Sequence, residues 1–321
     1  MTPKVLVTRK LLPEAMAYLT AQAEVEGGTD SRGYARDDLK KRIADKDGLL
    51  TLLVDRIDRE IIDAAPKLRM IANCAVGVDN IDLRAARERG IWVSNTPGVL
   101  TESTADLTWA LILAAARKIP QADRFIREGR FLGWELDLFL GKDISGGRLG
   151  IIGFGRIGQA VARRASGFGL EIVYHDPNRL PAESEAVLRA AWLPLDELLR
   201  TADIITVHAA LNASTTHLLS AQKLSLMKRD ALLVNVARGP IVDEAALADA
   251  LESGRLGAAG LDVYEREPEI EPRLRALDNV VLLPHIGSAT RGTRLAMAMA
   301  AARNLVQGLH GERPDNLVGS D

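Results

Sequence analysis

The chain has 321 residues, 41 of them basic and 43 acidic, for a net charge of −2 at neutral pH. That length exceeds one ordinary core, so two domains are expected, and the balanced charge without a Lys/Arg block speaks against nucleic acid or a membrane surface as a partner. A single cysteine, Cys74, leaves no internal disulfide or cysteine zinc cluster, the apolar run at 107–116 is far too short for a bilayer, and MTPKVLVTRK has no signal-peptide layout; a cytoplasmic protein with no metal site is expected.

Residues 4–8 read as a β-branched strand and 13–22 as a helix with Pro13 at a tolerated first-turn position. Strands at 48–53, 70–75 and 91–95 alternate with helices at 36–43, 58–65 and 82–89, the pattern of a parallel α/β layer. Asn95-Thr-Pro-Gly98 breaks that pattern, and Thr101 is a candidate cap for a long apolar helix through 117, so the crossing into a second domain is placed there. Residues 125–142, FIREGRFLGWELDLFLGK, have no clean period and are rich in aromatics; they read as an exposed arm able to cover a partner subunit.

The stretch LGIIGFGRIGQA at 149–160 organises the second half of the chain. A buried strand runs into Gly153, Gly155 and Gly158, spaced G-x-G-x-x-G, and a helix begins at once. Gly153 suits the tight turn, Gly155 lets backbone approach a pyrophosphate, and Gly158 lets helix pack on strand, while the helix N-terminus offers free N–H groups to phosphate. A second strand, 171–175, ends at Asp176, 18 residues after Gly158, where a carboxylate can accept bonds from an adenosine ribose. Strands at 203–207, 231–236, 258–262 and 280–283 complete a second sheet. The alanine-rich helix 289–309, with a tail strand at 316–318, is expected to return to the first domain. The domains are then a discontinuous one at 1–99 plus 288–321 and a dinucleotide-binding one at 100–287.

Ligands of open α/β sheets sit beyond the carboxyl ends of strands, and three of those ends carry charge. Arg238 follows one strand, Asp262 closes another with Glu267 five residues on, and His285 follows a third. An arginine fork, a carboxylate and a histidine suit reduction of a 2-oxo acid. Arginine grips the carboxylate bidentately, histidine moves protons near neutral pH, and the acid favours imidazolium. Of the five histidines, His175, His217 and His310 read as surface groups and His208 as a lining of the cofactor cleft, which leaves His285 as the acid. Competing readings stay open at this point: a structural histidine, an arginine paired to a surface acid, and an Asp262 that only caps the next turn. Gly239 argues for the functional Arg238, by removing a side chain where backbone would meet ligand. Cys74 reads as a small buried hydrophobe.

The segments NCAVGVDNIDL, NTPGVLTESTADL, LGIIGFGRIGQAVA, LLVNVARGPIVDEAAL, GLDVYEREP and LLPHIGSAT, in this order, resemble the D-isomer-specific 2-hydroxyacid dehydrogenases, nearest the glyoxylate and hydroxypyruvate reductases. The resemblance implies two Rossmann-like or flavodoxin-like parallel-sheet domains, the outer one discontinuous. It also implies His285 as proton donor, Glu267 as its partner, Arg238 on the substrate, and the backbone at Val76 and Gly77 on the substrate carboxylate. Thr104, Gly153, Gly155, Arg156, Ile157, Gly158, Asp176, His208, Val236, Ala237, Arg238, Asp262, His285 and Gly287 would line the dinucleotide, and the arm would serve a homodimer. Three departures stand out: Ala210 replaces a family proline, Leu138 replaces a second tryptophan common in glyoxylate reductases, and Asp176-Pro177 stands where NADP-preferring members carry a small polar residue and arginine. NAD is therefore the expected cofactor, with NADP allowed by Asn178 and Arg179. Oxidation of 3-phosphoglycerate or D-lactate, and a dinucleotide-sensing corepressor, are the alternatives; the chain length speaks against the extra regulatory domain of long phosphoglycerate dehydrogenases.

Overall fold

Among the described residues, apolar runs of three to five residues form most of twelve strands, and because nearly every one is buried on both faces they assemble as parallel sheets covered by helices. The computed structural model describes residues 2–319, and the chain divides into two units, Met1–Leu100 with Ser288–Asp321, and Thr101–Gly287.

The first unit contains β1 (Lys4–Val7), β2 (Glu24–Gly27), β3 (Gly48–Thr51), β4 (Met70–Asn73) and β5 (Trp92–Ser94), in the order β2-β1-β3-β4-β5. All pairings are parallel, which is the flavodoxin-like winding. Leu6, Leu49 and Ile71 fill one face with Ile57, Ile61 and Ile62. The helix Arg291–Leu309, whose Thr290 cap accepts from the Thr293 N–H, packs on this sheet closely enough that a Cβ on Gly308 would lie 2.7 Å from the Met70 sulfur. Beyond it Leu317 bridges Ser94 antiparallel, and the Val318 N–H donates to Val93 O at 2.7 Å. Strand β2 escapes sequence reading because it is an edge: EVEG is only partly buried and offers no apolar run.

The second unit contains β6 (Arg148–Ile152), β7 (Glu171–His175), β8 (Ala190–Trp192), β9 (Ile204–Val207), β10 (Leu232–Asn235), β11 (Ala258–Leu261) and β12 (Val280–Leu282), again all parallel. Their order, β12-β11-β10-β9-β6-β7-β8, is the Rossmann winding extended by one strand, with the switch point at β6. The helix Thr101–Ala116 covers one face. Its Trp109 stacks on Phe168 at 4.5 Å between centroids and donates its indole N–H to Val161 O at 3.1 Å.

Only the first three residues of the expected arm are helical, as the end of Ile119–Arg127; the remainder is irregular. Both ends are tied down, by the Phe125–Phe139 ring pair at 5.3 Å and by the Lys142 N–H on Ala116 O at 2.8 Å. Its apolar side chains nevertheless face outward, with Leu132 95%, Trp134 80% and Leu136 79% exposed. Among the described residues no helix is long and apolar enough to cross a membrane, and no group of three or more His, Cys, Asp or Glu side chains is placed to hold a metal ion.

Candidate active site

Parallel strands deliver all their carboxyl ends to one sheet edge. In the Thr101–Gly287 unit the groups met along that edge, following the strand order, are His285, Asp262, Arg238, His208, the Gly153 turn and Asp176. One row thus collects the sequence-predicted acid and arginine and the predicted cofactor turn.

The turn after β6 is built for close approach. Gly153 sits at φ +86°, and a Cβ there would strike the Ala209 backbone at 2.4 Å; a Cβ on Gly158 would meet the Gly153 carbonyl oxygen at 2.3 Å. These two glycines serve the protein's own packing. Gly155 differs, because a Cβ on it would meet nothing within 4 Å. Gly155 also precedes the helix Arg156–Ala165, whose N-terminus has no side-chain cap, so its first N–H groups, those of Arg156, Ile157 and Gly158, face an open cradle. The His208 ring nitrogens, buried and without a hydrogen-bond partner among the described residues, lie at the neighbouring strand end. Burial pushes the His208 imidazole down to about 3, so it stays neutral and offers one donor and one acceptor. The open glycine and these orphaned atoms fit a dinucleotide.

Asp176 is locked beside the turn. Its Oδ2 accepts the Phe154 N–H and its Oδ1 the Asn178 N–H, both at 2.8 Å, and the Trp192 indole N–H donates to its carbonyl at 3.0 Å. Arg179, whose direction the sequence leaves open, donates two bonds of 2.9 Å to the Glu185 carboxylate.

At the opposite end of the row, His285 Nδ1 lies 2.9 Å from Glu267 Oε2, leaving Nε2 for chemistry. Burial works to raise the Glu267 carboxyl, but the hydrogen bond and charge of His285, the Tyr264 N–H and the Arg238 charge outweigh it and hold the group below the usual carboxylate range. His285 itself adopts φ +54°, left-handed backbone that a non-glycine residue occupies only when its surroundings enforce it. Asp262 supplies that enforcement: 1% exposed, it accepts the Ile286 N–H at 2.7 Å and the Gly287 N–H at 2.8 Å. Burial raises its pKa, against those two bonds and the His285 charge. Gly287 is packed between Asp262 and Thr104, where a Cβ would lie 3.3 Å from the Asp262 carboxylate and 3.4 Å from the threonine methyl. Thr104, Asp262 and Gly287 therefore come together as the floor beneath His285.

Arg238 extends from the turn after Val236 and Ala237, with Nη1 donating to Ala237 O at 2.9 Å. Gly239 has a reason to be small other than the ligand contact expected from the sequence. It is glycine because a Cβ there would collide with the Tyr264 carbonyl carbon at 1.8 Å, an internal packing need that says nothing about ligand.

The residues that support this site escape sequence reading. Buried Asn235 accepts the Ala237 N–H at 3.1 Å and donates to Arg238 O at 2.9 Å, and the Tyr264 hydroxyl donates to Leu283 O at 2.8 Å, two residues before His285. Their one signal is a polar residue inside or just after an apolar strand run. In the other unit the loop at Val76 and Gly77 is fixed through its carbonyls, Asn95 donating to Val76 O at 2.7 Å and Asn73 to Gly77 O at 2.8 Å.

This arrangement, with an imidazole–carboxylate pair, an arginine and a dinucleotide cradle on one sheet edge, agrees with relationships across the whole chain. Residues 109–287 match the model of the D-isomer specific 2-hydroxyacid dehydrogenase NAD binding domain. A glyoxylate reductase of Thermococcus onnurineus is 48% identical over 100% of this chain and 97% of its own length. The crystal structure of a Thermus thermophilus protein superposes with a TM-score of 0.92 at 46% identity, over 98% of this chain and 99% of that one. An NADPH-dependent glyoxylate/hydroxypyruvate reductase of Sinorhizobium meliloti, in complex with NADP and malonate, superposes at 0.88 with 33% identity, over 99% and 97%. With fold, sequence and strand-end chemistry in agreement, the chain belongs to the D-isomer-specific 2-hydroxyacid dehydrogenases, enzymes that work with a nicotinamide dinucleotide.

Proposed function

We propose that this enzyme reduces small 2-oxo acids, glyoxylate and hydroxypyruvate, to glycolate and D-glycerate. The observation that carries the reading is the His285–Glu267 pair, 2.9 Å apart, on the sheet edge that also holds the glycine cradle. The nicotinamide, when bound, supplies the hydride. Arg238 binds the substrate carboxylate, and His285 gives the proton on Nε2 to the carbonyl oxygen as it becomes a hydroxyl. Glu267 stabilises the imidazolium before transfer and fixes the ring through Nδ1. The dinucleotide is held by Gly153, Gly155, Arg156, Ile157, Gly158, Asp176 and His208, with Thr104, Val236, Ala237, Asp262 and Gly287 around the nicotinamide end.

NADH is the preferred form. The Asp176 carboxylate keeps lone pairs for ribose hydroxyls but repels a 2′-phosphate, and Arg179 is engaged by Glu185. Exchanging a charge-assisted hydrogen bond for a like-charge repulsion costs about 2–4 kcal/mol, or roughly thirty- to several-hundred-fold in kcat/KM. The protein is a cytoplasmic homodimer in this reading, supported by its outward-facing apolar arm and by its single cysteine, which allows no internal disulfide.

The test is kcat/KM for glyoxylate, hydroxypyruvate, pyruvate and phosphohydroxypyruvate, each with NADH and NADPH. Glyoxylate and hydroxypyruvate with NADH are expected to lead; a clear preference for phosphohydroxypyruvate or pyruvate would move the substrate assignment, and absence of turnover on all four would sink it.

A further inference from the structure

We infer that Glu185 is a specificity-determining residue for the cofactor: by engaging Arg179 through two donors, it withholds from a 2′-phosphate the one cation carried by the loop 176–180. The inference rests on the reading of Asp176 as the ribose acid and deepens it.

Asp176, Pro177, Asn178, Arg179 and Leu180 connect β7 to the helix Ala182–Leu188, which carries Glu185. The Asn178 N–H on Asp176 Oδ1 folds the loop back on itself, so Arg179 remains next to the acid. Its guanidinium carbon lies 6.0 Å from the Trp192 ring, and the same indole donates to Asp176 O. Arg179 is thus within the neighbourhood of the ribose but is turned onto Glu185, with Nε and Nη2 each at 2.9 Å from a carboxylate oxygen.

Glu185 is well placed to hold it. Its side chain is 12% exposed against 62% for Arg179, and the buried Tyr174 donates its hydroxyl to Oε1 at 2.7 Å. That hydroxyl also accepts the Leu180 N–H at 2.9 Å, which ties the loop to the carboxylate through one shared oxygen. A lone surface ion pair would yield readily to a phosphate dianion. A planar fork whose acid is itself fixed by a second donor is more selective, because arginine must break two parallel bonds before it can turn. Asp176 therefore acts by repulsion and Glu185 by sequestration, two separate devices against the same phosphate.

The experiment measures dissociation constants by calorimetry for NADH, NADPH and 2′,5′-ADP, with kcat/KM alongside, in the natural protein, R179A, E185Q, E185A and E185Q/R179A. Arg179→Ala is expected to leave NADPH binding within twofold of the natural protein, because that arginine is already occupied. Glu185→Gln and Glu185→Ala are expected to tighten NADPH and 2′,5′-ADP about tenfold, the scale of one charge-assisted contact, with NADH unchanged and the gain abolished in E185Q/R179A. Weaker NADPH binding in R179A, no gain in either Glu185 variant, or a gain that survives removal of Arg179 would each overturn the proposal. Should a Glu185 variant fail to fold, R179A still decides, since its side chain is exposed. The reading of Asp176 fails separately, if the natural protein binds NADPH as tightly as NADH while R179A changes nothing.

Discussion

His285 holds its ring toward an acid at the cost of a left-handed backbone, and the two carboxylates around it do different work. Glu267 acts on charge. Its pKa lies below the ordinary value, so it is ionised throughout the neutral range. The stabilisation from a depressed carboxyl is complete above its unfolded value and is lost as pH falls through the lower folded one, so the carboxylate side of this pair is lost only in acid. Glu267→Gln keeps the shape and removes the charge that favours imidazolium; the alkaline limit of reduction is expected to move to lower pH, read from kcat/KM against pH. An unchanged profile would separate the two residues. His285→Ala is expected to lower kcat by roughly two to four orders of magnitude, the range for a lost general acid, with NADH affinity nearly unchanged; survival of near-normal turnover would place the proton elsewhere. Asp262 acts on geometry, through the Ile286 and Gly287 N–H groups. Asp262→Asn replaces one acceptor oxygen by a donor facing an N–H, so kcat is expected to fall about tenfold or more, with a smaller pH shift than that of Glu267→Gln. A shifted profile of the same size in both variants would mean that Asp262 acts by charge.

Among the elements, the strand–turn–helix at β6 separates two kinds of glycine that look alike in sequence. Gly158→Ala drives a Cβ onto the Gly153 carbonyl, a backbone atom that cannot move aside, and a loss of about 1–3 kcal/mol in unfolding free energy is expected. Gly155→Ala meets no protein atom and has an ordinary negative φ, so its melting temperature is expected to hold while NADH binding weakens by an order of magnitude or more. Equal melting losses in both would mean that Gly155 is structural and that the open cradle is not a ligand site. The same element shows what is legible in sequence. Buried strands announce themselves as apolar runs, and in a parallel sheet the residue after each run is automatically at the ligand edge, which is why Arg238, Asp262 and His285 stand out from residue order alone. Edge strand β2, EVEG, carries no such run, and edge strand β8, AAW, is apolar but only three residues long and partly exposed. The helices Ala182–Leu188 and Leu195–Thr201 follow prolines at their starts and are short, so they lack the two or three turns that make a period visible. The supports Asn235, Tyr264 and Asn73 act through backbone contacts that only the folded chain reveals, and the packing need behind Gly239 is invisible for the same reason.

For the molecule as a whole, the sequence leaves open what the arm covers, and its side chains frame the answer energetically. Phe131, Leu132, Trp134, Leu136 and Leu140 are all half or more exposed, a stretch of apolar surface that a monomer rarely leaves in water. Burying a large apolar side chain is worth about 1.5–3 kcal/mol, so five of them in a one-sided contact supply roughly 7–15 kcal/mol, no more than the roughly 4–15 kcal/mol that association costs. An isologous pair uses the arm twice and doubles the gain without doubling that cost, and a net charge of −2 opposes it little. A symmetric dimer at micromolar concentration is therefore expected by sedimentation equilibrium. Replacing Leu132 and Trp134 together by glutamate removes four of the ten buried side chains and sets four like charges against the partner, so the dimer dissociation constant is expected to rise by three or more orders of magnitude. Both residues sit outside the folded core of their own chain, at 95% and 80% exposure, so the melting transition of the dissociated protein is expected to stay cooperative. A natural protein that sediments as a monomer at these concentrations, or a double variant that remains dimeric, would show that the arm covers something other than a second copy.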